Sequence, residues 1–333
     1  MVVPGRKKKP TAKATDKPPA GPQPKRRLGV ALGSGSARGW AHIGVLRGLH
    51  EMGIEPAIVA GTSAGALVGG AYVSGQLDAL EEWARSVGKL DVFRLMDLAP
   101  ARGGFIAGSR LFDAFRKVAA DIAIEELPLP FSAVATDFES GRELWLDKGS
   151  LHEAVRASIS LPGLLTPVER DGRWLVDGGL VNPVPVSVCR ALGADYVIAV
   201  NLGGDLRDRN TNLTEPSGLF GDDPGALDDA LARLPAGLRE RLEAPARFLF
   251  APRERDTSRA PGFFDVMAGS INIMQDRVTR SRMAGDPADV LIEPRLEEIR
   301  MLDFDHAVDA IEEGRAATER MRAPLLRLAE STG

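Results

Sequence analysis

Apolar and polar positions along the chain follow two alternating rhythms. Short unbroken apolar runs recur, and after a turn each gives way to a stretch where apolar residues return every three or four positions. Residues 28–33 (LGVALG) form the first run, followed by the loop SGSARG and a predicted helix from Trp40 to Met52 that Gly53 ends. On that helix Ala41, Gly44, Val45, Gly48, Leu49 and Met52 share one face, narrow enough to lie close against a sheet. The run Ala57–Ala60 predicts a second buried strand, the spacing from Ala64 to Ser74-Gly75 a second helix, and residues 78–88 a third.

The same alternation continues downstream. Strands are expected over 131–136 (FSAVAT) and 143–146 (ELWL) around the turn Glu139-Ser140-Gly141, then a capped helix from Gly149. A strand over 173–176 (RWLV) runs into Asp177-Gly178-Gly179, followed by a helix over 184–194 and a buried strand over 195–200. From 203 to 264 the pattern loosens into an excursion, read as plain exposed chain or as a lid. A helix over 263–283, a strand over 289–294 and a final helix over 305–330 complete the series. Strands alternating with helices predict an α/β layer architecture with a mainly parallel sheet.

Charge changes this picture at one end. Residues 1–27 hold nine Lys or Arg and one Asp, so this stretch is +8 and the remainder of the −4 chain is −12. Six prolines and no aromatic residue leave it too little apolar surface to fold, so a disordered tail is expected, with the folded domain over 28–330. Such a tail suits contact with anionic lipid, and equally a solvated extension; a nucleic-acid partner is not expected. No apolar signal segment is seen, and the expectation is a cytoplasmic protein with peripheral contact at the inner membrane. Pro56 to Leu77 carries no charge, but its five glycines and its hydroxyl residues argue against a membrane span. The lone Cys189 excludes an intrachain disulfide and reads as a small buried hydrophobe. Nothing in the sequence sets the oligomeric state.

Chemistry concentrates at three turns. Ser63 stands where a strand, a tight turn and a helix meet, with Gly61 and Gly65 two positions either side. That context fits a nucleophile elbow, and it also fits a helix cap. Gly33, Gly35 and Gly39 invite comparison with a dinucleotide turn, but Arg38 stands where the third glycine belongs and no acid follows about 20 residues on. Amides near Gly35 and Ser36 are better placed to meet an oxyanion, helped by the helix dipole beyond Gly39. A base for Ser63 has two sources: the chain order Ser63, Asp177, His306 would make an ordinary triad, or Asp177 alone leaves its strand at a double-glycine turn. His306 has acidic neighbours that suit a solvated or capping role, and His42 reads as a packing residue. No cluster of His, Cys and carboxylates points to a metal, and no cofactor is expected.

Together GSGSARGWAHIGVLRGL, GTSAG and DGGLVNPVPV resemble the patatin-like phospholipase family, and RASISLPGLLTPV, AVATDFESGRELW and RMAGDPADVLIEP are similar to its bacterial RssA type. The likeness runs from about Leu28 to Arg320. It implies a three-layer patatin-like fold and a Ser-Asp dyad without histidine: Ser63 as nucleophile within Gly61-Thr62-Ser63-Ala64-Gly65, and Asp177 as base beside Gly178 and Gly179. It also implies an oxyanion loop over Ser34, Gly35, Ser36, Ala37, Arg38 and Gly39, with donors at Gly35 and Ser36. The family's usual triple glycine is here Ser34-Gly35-Ser36. The implied activity is hydrolysis of phospholipid or lysophospholipid esters through an acyl-enzyme. A patatin-fold regulatory scaffold and, less well matched, a nucleotide-binding oxidoreductase are the competing classes.

Overall fold

In the computed structural model the apolar runs become the strands of one sheet. The structure describes residues 26–88, 120–204 and 263–331, with single positions and short pieces inside 91–116 and 226–243. The basic tail up to residue 25 and most of the 203–264 excursion therefore lie outside the described residues. In chain order the strands are β1 (Leu28–Leu32), β2 (Ile58–Thr62), β3 (Gly104–Ile106), β4 (Phe131–Asp137), β5 (Glu143–Leu146), β6 (Gly163–Leu165), β7 (Val168–Arg170), β8 (Arg173–Asp177), β9 (Tyr196–Val200) and β10 (Val290–Ile292). The helices are α1 (Ala41–Glu51), α2 (Ala64–Val73), α3 (Leu77–Ser86), α4 (Leu151–Ser158), α5 (Val186–Ala191), α6 (Ala226–Ala232), α7 (Phe263–Gly285), α8 (Ala307–Arg320) and α9 (Arg322–Glu330).

The main sheet has eight strands in the order β10-β9-β1-β2-β4-β8-β7, with β5 also on β4. The stretch from β10 to β4 is parallel, and β5, β7 and β8 are antiparallel. Central strands buried on both faces need unbroken apolar runs, and β1, β2 and β4 are fully buried. Alternate residues feed two cores: Val30, Leu32 and Val59 pack with α1, α2, α4 and α8, whereas Ala31, Ile58 and Ala60 pack with Val186, Val188 and Cys189 of α5. Helices on both sides make three layers, as expected.

Three details depart from the pattern reading. The small residues of α1 admit a helix and not the sheet: a Cβ on Gly44 would stand 1.9 Å from Ile311 O and one on Gly48 2.9 Å from Thr318 Cβ, both in α8. The final helix is two, α8 and α9, meeting at Met321, because Pro324 has no N–H to give the carbonyl of Arg320 and its ring would collide there. The three-residue strands β3, β6 and β7 were not anticipated, being too short to show a period.

Candidate active site

The site grows from how β4 shares its edges. β2 pairs with Phe131–Val134 in parallel, and β8 pairs with Ala135–Asp137 in antiparallel sense. β5 pairs with Ala133–Thr136, so it overlaps β2 and must take the opposite edge. Consecutive amides confirm the sides, Asp137 N–H running to Arg142 O beside β5 and Phe138 N–H to Trp174 O beside β8. β2 and β8 therefore lie end to end along one edge of β4, their C-termini facing each other. Thr62 is opposite Val134 and Asp177 is opposite Ala135, and the residue after Thr62 is Ser63.

Ser63 Oγ donates to Asp177 Oδ2 at 2.6 Å, across 114 positions of sequence. Ser63 has φ 56° and ψ −122°, outside the ordinary regions for a side chain with Cβ, the strained turn a nucleophile elbow requires. Its side chain makes no cap bond to α2, so the helix-cap reading is not what the turn does. Gly65 is required here: a Cβ at that position would stand 2.1 Å from Leu32 O. Asp177 is fully buried, and its other oxygen, Oδ1, accepts from Gly179 N–H at 2.7 Å. Burial pushes the Asp177 carboxyl up to about 6, while the bonds from Ser63 and Gly179 pull the other way.

The glycine-rich loop closes over this pair. It leaves β1 with Gly33 N–H on Val200 O and Ser34 N–H on Pro183 O. It then forms a short 3-10 turn, Ser36–Trp40, that leads into α1. A Cβ on Gly39 would meet Ala64 Cβ at 2.2 Å, so the loop rests directly on the elbow. A Cβ on Gly179 would stand 3.0 Å from Ser34 Oγ, which brings the double-glycine turn against the same loop. Gly61, Thr62, Ala64 and Gly178 occupy the adjoining strand ends and turn starts, with Thr62 Oγ1 donating to Asn182 O at 2.8 Å. Among the described residues, the amides of Gly35 and Ser36 donate no hydrogen bond, whereas that of Ala37 is taken by Met301 O at 3.2 Å. Ser36 holds φ 52°, a conformation glycine adopts without strain, at the place where the family carries its third glycine. Arg38 is buried, and its Nη2 donates to Asn272 Oδ1 of α7 at 3.2 Å, tying the loop to that helix.

The histidines have other partners. His306 stands at the N-cap position of α8 on the surface without a side-chain cap bond, its Nδ1 3.0 Å from Asp309 Oδ2, so the structure does not bring it into a triad. His50 pairs with Glu55 on the surface, and His152 packs against the rings of Phe112 and Phe115. His42 is buried with Nε2 2.7 Å from Gly33 O, and burial lowers it to about 4, so it is neutral near pH 7. Among the described residues no three His, Cys, Asp or Glu side chains gather as a metal site.

Sequence reasoning missed the hydroxyls that hold the pair. Ser158 Oγ accepts from Ser63 N–H at 2.8 Å and donates to Val134 O at 2.6 Å. Thr136 Oγ1 donates to Asp177 O at 2.8 Å, and Asp177 N–H runs to Ser160 O at 2.9 Å. These residues lie in the quoted blocks AVATDFESGRELW and RASISLPGLLTPV, but neither block has a spacing that marks them as partners of a distant turn.

A buried serine-carboxylate pair beside unoccupied backbone donors is equipment for acyl transfer. An uncharacterized NTE family protein of Mycobacterium tuberculosis is 39% identical over 335 residues, covering 89% of this chain and 92% of its own. Human patatin-like phospholipase domain-containing protein 6 is 36% identical over 183 residues, covering 53% of this chain and 13% of that far longer protein. Among solved structures, VipD from Legionella pneumophila matches 90% of this chain and 67% of its own at 13% identity, with a TM-score of 0.43. Residues 30–190, which contain the glycine loop, Ser63 and Asp177, match the model of the patatin-like phospholipases, and the chain belongs to that family.

Proposed function

We propose that this protein is a serine acyl hydrolase that cleaves carboxylic esters of phospholipids or lysophospholipids through Ser63 and Asp177. The observation that carries the reading is the 2.6 Å bond from Ser63 Oγ to a wholly buried carboxylate. An exposed aspartate, with a pKa of about 3.9, is a feeble base for a hydroxyl. Burial raises Asp177 to about 6, which leaves it ionised at neutral pH yet a stronger proton acceptor.

As Ser63 Oγ bonds to the ester carbonyl carbon, its proton passes to Asp177 and the carbonyl π electrons move onto oxygen. Gly35 and Ser36 N–H donate to that oxyanion, each such donor contributing about 3 kcal/mol. Collapse breaks the bond to the alcohol oxygen, which takes the proton back from Asp177. Water then attacks the acyl-enzyme, Asp177 again accepting its proton, and the fatty acid leaves as Ser63 regains its hydrogen. None of these steps needs a bound ion.

Contact with lipid is supported by α7, the helix that Arg38 and Gly179 meet. Val266, Ile273 and Met274 lie on one stripe of it, 52%, 51% and 41% exposed, while Ile271 and Thr279 on the opposite side are buried. Arg277 continues the outward stripe toward the C-terminus, with Arg280 beside it paired to Asp276 at 2.6 Å, so the exposed apolar side chains are followed by basic ones, as at a phospholipid surface. A fluorophosphonate probe tests the enzymatic reading: it should form a covalent adduct on Ser63, located by peptide mass, and Ser63→Ala should block the adduct. A folded wild-type chain that takes no label would favour a regulatory scaffold.

A further inference from the structure

The rung that the Ser63 amide should make between β2 and β4 is not there. Val59 N–H runs to Pro130 O at 3.0 Å, and β2 and β4 are parallel in register through Thr62 and Val134. In a parallel ladder every second amide of a strand points at the same neighbour. The alternation set by Val59 therefore assigns Ser63 N–H to Val134 O. Instead the Ser158 hydroxyl stands between them, taking the amide at 2.8 Å and giving its own hydrogen to the carbonyl at 2.6 Å. Ser158 is the last residue of α4 and is fully buried.

We infer that Ser158 is a positioning residue for the nucleophile, its hydroxyl serving as an inserted rung that splays the end of β2 from β4 and holds the Ser63 turn open. The inference rests on the reading of Ser63 as nucleophile. Three features need the splay. Ser63 must keep φ 56° rather than continue the strand. The edge of β4 beyond Val134 must be free for β8, which starts its pairing at Ala135 with Asp177. The bond from Ser63 Oγ to Asp177 Oδ2 joins two strand ends that meet only because neither continues.

Without the hydroxyl, Ser63 N–H and Val134 O are both buried and unsatisfied, which costs more than letting the strands close. Ser63 N–H then takes Val134 O directly, re-forming the ordinary rung. The turn is drawn toward β4, and Oγ moves off Asp177. A displacement of about 1 Å in a reacting group costs on the order of 100-fold in rate. Binding surfaces away from the turn keep their shape, so the loss falls on kcat.

The test compares wild type, Ser63→Ala, Ser158→Ala and Ser158→Cys on a soluble p-nitrophenyl ester, with fluorophosphonate labelling rates and thermal melts. For Ser158→Ala, kcat and the labelling rate should both fall on the order of 100-fold with KM within about twofold of wild type. Should Ser158→Ala not fold, Ser158→Cys carries the test, since a thiol is nearly the same shape but a weak donor and acceptor. It too should lose kcat at unchanged KM. Wild-type kcat in a folded Ser158 variant, or a loss confined to KM, overturns the inference while an inactive Ser63→Ala leaves the nucleophile standing. An active Ser63→Ala overturns both.

Discussion

Replacing Asp177 by Asn should abolish turnover and at the same time make the protein more stable at neutral pH. The amide keeps both contacts: its oxygen can accept from Gly179 N–H, and its NH2 can donate to Ser63 Oγ. What it lacks is the charge that burial penalises. Raising the carboxyl from 3.8 to about 6 corresponds to about 3 kcal/mol, at about 1.4 kcal/mol for each tenfold change in proton affinity. The folded pKa lies above the unfolded one, so the native chain holds this proton more tightly. The contribution of Asp177 to stability is thus fully present below about pH 4 and is lost as pH rises through about 6. Asp177→Asn should therefore match wild type near pH 4 and exceed it by up to about 3 kcal/mol from pH 7 upward. At about 2–4 °C per kcal/mol that is a rise in Tm of roughly 6–12 °C. Denaturant and thermal melts of both proteins from pH 4 to 8 measure it. A difference of equal size at every pH, or a variant less stable at pH 8, would falsify the picture of an ionised, desolvated base.

The same titration governs rate, since only ionised Asp177 can accept the Ser63 proton: kcat/KM should rise through about pH 6 and level off above it, and an acid limb near pH 4 would contradict the burial argument. His306→Ala should keep near wild-type turnover of a soluble ester, because its ring is bound to Asp309 at the surface; a loss equal to that of Ser63→Ala would restore the triad. Saturating EDTA should leave turnover unchanged, because oxyanion stabilisation is assigned to the amides of Gly35 and Ser36, and activity lost to EDTA but recovered with calcium would refute that assignment. Ile273→Glu with Met274→Glu should weaken sedimentation with phospholipid vesicles without changing soluble-ester turnover. Deleting residues 1–25 should weaken it only at low salt and with anionic lipid, since their seven Lys or Arg against one Asp, +6 without apolar anchors, are screened beyond about 8 Å. Unchanged binding of both variants would place lipid contact elsewhere.

What could be read from the chain alone was local. The unbroken runs of β1, β2, β4 and β9, the glycine spacing around Ser63 and the loop Ser34–Gly39 all fall within a few residues, where steric limits on the backbone and burial on two faces leave their mark directly in composition. The same locality made Asp177 legible as a strand-end carboxylate while leaving His306 open as a partner, because chain order says nothing about distance. The tertiary structure decided the rest. Ser63 and Asp177 meet because β2 and β8 divide one edge of β4, a pairing across 114 residues that no period records. Asp177 becomes a stronger base because the assembled core removes water from it, a property of its surroundings and not of its residue type. Ser158 looks like any helix-terminal serine until the sheet places its hydroxyl in the gap between Ser63 and Val134, where a missing rung must be filled because a buried amide and carbonyl cannot be left unpaired.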